Sequence, residues 1–135
     1  MIVSRAARRI AFWAYAVALF VLTHKPKFTV PGPPRIDLVA HAAAFGLWTI
    51  LLIAAGFFGP PLSIRNITIV APVAVVYAAI DEALQAIPWV RRHAAWDDWA
   101  MDCVGIALAL VAALLARQFL APQQSVRTQT AETRP

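Results

Sequence analysis

Four apolar stretches, separated by short breaks rich in Pro, Gly and charge, set the pattern of this chain. The first covers residues 10–23; Arg8 and Arg9 can snorkel from its start, so the helix extends back toward Ser4, and Pro26 ends it near His24. The second covers residues 38–58, has His41 as its only ionisable side chain, and stops at Gly59, Pro60 and Pro61. The third runs from residue 67 to about residue 89, with Asn66 as its expected N-cap and Pro88 at its end. Pro72 either kinks that helix or marks its first turn. The fourth runs from about residue 99 to residue 116, with Asp102 as its acid and Arg117 at its exit. A span needs roughly 20 mostly apolar residues to cross a bilayer core. The pattern therefore predicts an all-α integral membrane four-helix bundle over residues 1–121, followed by a disordered polar cytoplasmic tail at 122–135. A basic start before a short apolar run also fits a signal peptide, but no small-x-small cleavage site follows Leu22, so the first stretch is read as a retained span.

Composition agrees with lipid as the second solvent. Hydrophobic residues make up 61% of the 135 and charged residues 14%, with a mean hydropathy of +0.66, against about 25% charged in a soluble domain. The net charge of +5 is spread among apolar runs with no basic helix face. Charges flanking membrane helices account for it better than nucleic-acid binding does. A lone cysteine, Cys103, excludes an intrachain disulfide and a cysteine-built zinc site.

Alternating spans bring the polar residues to one depth. Asp37 and His41 start the second stretch, Asp81, Glu82 and Gln85 end the third, and Asp98 and Asp102 start the fourth, so all lie near the same face. The loop between the last two adds Arg91, Arg92 and His93. Arg5, Arg8, Arg9, Arg65, Arg117, Arg127 and Arg134 make seven cations on one side, against five on the other, Lys25, Lys27, Arg35, Arg91 and Arg92. The bias, led by the first helix, predicts a multi-pass protein of the cytoplasmic membrane with both ends in the cytoplasm and the polar cluster toward the outer face.

Asp37 and His41, Asp81 and Gln85, and Asp98 and Asp102 are each spaced i,i+4, one turn apart on one helix face. A carboxylate facing lipid at mid-span costs about 2.5–3.5 kcal/mol or more, so these groups are expected to turn inward. Gly105, one turn beyond Asp102, would admit a neighbouring backbone.

Three roles fit the cluster. In an enzyme acting on a lipid or lipid-linked envelope molecule, Glu82 would be the general acid or base. His41, poised by Asp37, would shuttle the proton. Gln85, Arg92, Asp98 and Asp102 would bind the ligand, Arg92 gripping a phosphate or carboxylate. Asp98, Asp102 and Glu82 would also suit a divalent cation, Mn or Mg as well as Zn, although no His-x-x-x-His or Glu-x-x-His signature is present and the spacing names no cofactor. A binding or transport protein would use the same cavity without chemistry and, at four spans, would call for a homo-oligomer. In a purely structural reading, Asp37 and Asp98 cap helices, Glu82 pairs with Arg92 to fix register, and Trp89, Trp96 and Trp99 form an interfacial belt.

The run from Asp37 to Leu47, through His41 and Phe45, resembles the D-K-x-x-H-x-x-x-Y pattern of VanZ-like membrane proteins. Glu82 and Gln85 resemble that family's E-x-x-Q element, and Arg92, Ala95, Asp98, Asp102 and Gly105 match the spacing of its R-x-x-S-x-x-D-x-x-x-N-x-x-G element. Leu38, Phe45, Ala95 and Asp102 stand where the family usually has Lys, Tyr, Ser and Asn. The resemblance spans about residues 37 to 105 and implies a bacterial membrane protein whose polar elements meet; it does not imply a particular reaction.

Overall fold

The structure, a computed structural model, describes residues 3–25, 32–33, 35–85, 87 and 95–132, with the backbone alone for 121–132. It is built of four helices, α1 (Arg5–Thr23), α2 (Ile36–Ala55), α3 (Ile64–Gln85) and α4 (Trp96–Glu132), with no strand among the described residues. Each helix is long and apolar enough to cross a membrane, α4 through its segment Trp96–Leu120. At most 33% of any spanning window is buried within the bundle. Large side chains such as Trp13, Val17, Val76 and Leu108 are left facing outward, and a surface this apolar is stable only against lipid. The chain is an all-helical, multi-pass membrane protein.

Local chemistry sets the helix ends. Ser4 caps α1, its Oγ accepting from the Ala7 N–H at 3.1 Å, and His24 closes it. Gly56 ends α2 in the left-handed conformation (φ 61°) that glycine adopts without strain. The expected cap of α3 is corrected: Ser63 Oγ accepts from the Asn66 N–H at 3.2 Å, and the helix begins at Ile64. Asn66 is fully buried inside the first turn instead, where its amide donates to the Ile53 and Pro61 carbonyls at 3.0 and 2.9 Å and accepts from the Phe58 N–H at 3.3 Å. One side chain thus holds the end of α2, the 56–63 turn and the start of α3 together. Pro72 lies inside α3, beyond its first turn. The α4 backbone stays helical through Pro122 to Glu132, across residues expected to form a disordered tail; Gln, Ala, Glu and Arg in that stretch are good helix formers.

Packing is closest between α2 and α4. Gly46 and Gly105 face one another there, and a methyl on Gly105 would overlap the Ala42 carbonyl. Small residues let backbones approach where no hydrophobic force drives helices together. The residue pattern foresaw this role for Gly105. Helix α1 packs on α2 and α3 and, among the described residues, does not meet α4. The helices therefore follow one another around the bundle in the order α1, α2, α4, α3. The apolar centre is filled by Phe12, Phe45, Trp48, Leu52, Val70 and Ile106, with Trp48 stacked on Tyr77 at 4.5 Å between ring centres.

Candidate functional site

The ends of all four helices meet at one end of the bundle: the close of α1 and α3 and the start of α2 and α4. Thr23, Asp81, Glu82, Gln85 and Asp102 are all buried there, and His41 and Asp98 are nearly so. At the other end lies Arg9, its Nε donating to the Ala55 carbonyl at 3.4 Å and its guanidinium 4.9 Å from the centre of the Phe57 ring. The contacts thus bear out the shared depth that alternation predicts.

Asp81 organises the α1–α3 side. Its Oδ1 accepts from the Thr23 hydroxyl and its Oδ2 from the Gln85 amide, both at 3.1 Å. The second bond realises the i,i+4 pairing of Asp81 with Gln85. His24 Nδ1 lies 3.8 Å from Asp81 Oδ1, and the His24 ring stacks on Phe20. A carboxylate held by two donors and an imidazole is a satisfied group, which fits its almost complete burial.

His41 organises the α2–α4 side. Its Nδ1 is 2.9 Å from Asp102 Oδ1 and its Nε2 is 3.7 Å from Asp98 Oδ2. Asp98 and Asp102 occupy one face of α4, as their spacing requires, and the imidazole reaches across from α2 to lie between them. A proton on Nδ1 donated to Asp102 leaves the Nε2 lone pair turned toward Asp98. With both nitrogens protonated, the ring is an imidazolium between two carboxylates. The site can therefore hold a proton in either state without moving a helix.

Glu82 joins α3 to the start of α4, its Oε1 accepting from the Ala95 N–H. Its Oε2 is buried and, among the described residues, has no hydrogen-bond partner. Glu82 also lines a cleft of about 380 Å³ with Ala79, Ala83, Ala95, Trp96 and Trp99. Trp99 Nε1 is likewise buried without a partner among the described residues.

The sequence-derived set is met unevenly. Glu82, Gln85, His41, Asp98 and Asp102 come together. Asp37 does not: it is exposed, and the acids that hold His41 are on α4. The correction has a plain cause, since i,i+4 spacing puts two residues on one face but does not say which neighbouring helix that face meets. Arg92, with its proposed grip on a headgroup and its pairing with Glu82, lies outside the described residues, as do Trp89, Arg91 and His93. Thr23 and His24 were missed. The signal was present, two polar side chains closing the first span at the depth of the cluster, but they read as a helix end. Among the described residues, no three His, Cys, Asp or Glu side chains are arranged to hold a metal ion, so Glu82, Asp98 and Asp102 do not form the cation site their types allow. Comparison with family models, with curated proteins and with solved structures found no match.

Proposed function

We propose that this is a VanZ-like protein of a bacterial cytoplasmic membrane that acts on a lipid or lipid-linked cell-envelope molecule by acid–base chemistry at the His41 cluster. In this reading the N-terminal end of α1 and the C-terminal end of α4 face the cytoplasm, and the cluster lies toward the outer face, where envelope precursors are presented. The observation that carries it is His41 set between Asp102 and Asp98. Asp102 fixes the ring and stabilises its cationic form, and Nε2 is the atom that takes up and returns a proton, the division of labour seen wherever a buried carboxylate orients a catalytic imidazole. The pair would take its proton from a hydroxyl or a water brought to Nε2 by the bound molecule. Asp81, Thr23 and Gln85 form the wall that holds α1 against α3. Glu82, with one oxygen bonded to the Ala95 amide, is placed to hold the ligand through Oε2 and to act as a second acid or base there.

The test is lipid profiling of bacteria making the wild type, His41→Gln or Asp102→Asn at equal membrane abundance. A lipid or lipid-linked species that accumulates or disappears with the wild type alone supports catalysis. A change produced equally by all three favours a non-catalytic binding or transport protein. Three profiles indistinguishable from cells lacking the protein sink both readings and leave a structural role.

A further inference from the structure

We infer that the cleft beside Glu82 is a binding site for the ammonium headgroup of a membrane amphiphile, the ammonium bonding to Glu82 Oε2 against the faces of Trp96 and Trp99. This names the ligand class of the pocket just described. It rests on the reading of the cluster as a ligand pocket and does not depend on catalysis.

The first observation is a pair of buried polar atoms that have no partner among the described residues. Most buried polar groups are hydrogen-bonded, and an exception calls for a reason. Glu82 is 7% exposed, and its Oε2 lacks a partner among the described residues although the other oxygen is bonded. A lone acceptor in a dry wall asks for a donor, and a carboxylate oxygen is best matched by a charged one. Trp99, which also lines the cleft, has a buried Nε1 donor with no partner among the described residues. A headgroup that carries an ammonium next to a phosphate or hydroxyl oxygen meets both needs.

The second observation is charge. Among the described residues, the cluster gathers the carboxyls of Asp81, Glu82, Asp98 and Asp102 against the imidazoles of His24 and His41. Among the described residues that line the cleft itself, Glu82 is the one ionisable side chain, and its carboxylate favours a cation.

The third is shape. Ala79, Ala83 and Ala95 have side chains too short to fill the cleft, and Trp96 and Trp99 meet edge to face at 5.8 Å, forming an aromatic corner. Indole faces attract ammonium groups, most strongly out of water. Trp96 is 83% exposed on the outer surface of the bundle, so the cleft is reached from the lipid. An apolar tail can stay in the bilayer while the head enters. A soluble amine would lack that tail, and the cleft offers it few polar contacts.

The experiment is native mass spectrometry of the full chain in detergent with phosphatidylethanolamine, phosphatidylglycerol, or free ethanolamine. Phosphatidylethanolamine should bind at least about tenfold more tightly than phosphatidylglycerol, as the loss of one charge-assisted hydrogen bond implies, and free ethanolamine should not be retained. Glu82→Gln should remove that preference. Trp99→Phe, which keeps a ring and deletes the N–H, should weaken binding by a smaller factor. Ala83→Phe fills the cleft from the exposed side of α3 without touching the buried network, and should abolish retention with the melting temperature unchanged; it serves if Glu82→Gln fails to fold. Equal retention of the two lipids, or full retention by folded Ala83→Phe, overturns the inference. Retention of free ethanolamine as strong as that of the lipid overturns the amphiphile assignment. His41→Gln should bind as the wild type does, so binding without turnover in lipid profiling would end the enzymatic reading and leave this one standing.

Discussion

Two aspartates that look alike in the sequence separate at the residue scale. Asp37 and Asp102 both seem entitled to His41, the first by spacing on its own helix and the second only across the bundle. The structure gives the imidazole to Asp102, which is buried, and leaves Asp37 exposed. Removing one partner of a buried, charge-assisted pair costs about 3–5 kcal/mol, because the group left behind has lost its water as well. Asp102→Ala should therefore lower the unfolding free energy by about 3 kcal/mol in detergent, while Asp37→Asn should stay within about 0.5 kcal/mol. Equal losses in a denaturant titration would return His41 to Asp37. The same contrast shows what the sequence could carry. Alternation of spans fixed the depth of the polar groups, so Asp81, Glu82, Gln85, Asp98 and Asp102 were legible as a set. Their partners were not, since pairing depends on how the helices are ordered around the bundle, and a helical period is silent about that. Thr23 went unread for the same reason: its role exists only because α1 packs beside α3 and Asp81.

At the element scale, the spans were legible because length and hydropathy alone decide them, whereas their ends depend on single capping groups. Asn66 has the composition of a cap but is buried a turn deeper, and it satisfies two carbonyls and one amide of the α2–α3 connection. Asn66→Ala should cost about 2–3 kcal/mol, the penalty for leaving buried backbone groups without partners, read as a fall in unfolding midpoint. Gly105 governs the other critical junction. Because the overlap there is with the Ala42 backbone, Gly105→Ala forces α2 and α4 apart and should cost at least the 1–3 kcal/mol or so of ordinary overpacking. Trimming the neighbour with Ala42→Gly should not rescue it, since the clashing oxygen belongs to the main chain. Rescue in the double variant would mean the helices cross less closely. The consequence reaches the site, since Ala42 follows His41 directly and Gly105 is one turn from Asp102.

Whole-molecule topology turns a set of helix ends into one location. With α1 and α3 running one way and α2 and α4 the other, the turn at Pro33 and Ile87, two residues past the end of α3, must lie on the cluster side, and Ser63 on the opposite side. That relation follows from the contacts of His24 with Asp81 and of Ala95 with Glu82, and it holds whichever way the bundle faces. The facing itself rests on the cations, since Arg5, Arg8 and Arg9 cluster in the first turns of α1 and basic residues at the ends of spans favour the cytoplasmic side. In a Cys103→Ser background, single cysteines at Pro33, Ser63 and Ile87 should react with an impermeant thiol reagent in intact cells at Pro33 and Ile87 and be protected at Ser63. Labelling at Ser63 alone would turn the cluster to the cytoplasm, and cytosolic ligands would replace envelope precursors as the candidates. Labelling of Pro33 together with Ser63 would break the alternation of spans, and with it the common depth on which the whole site depends.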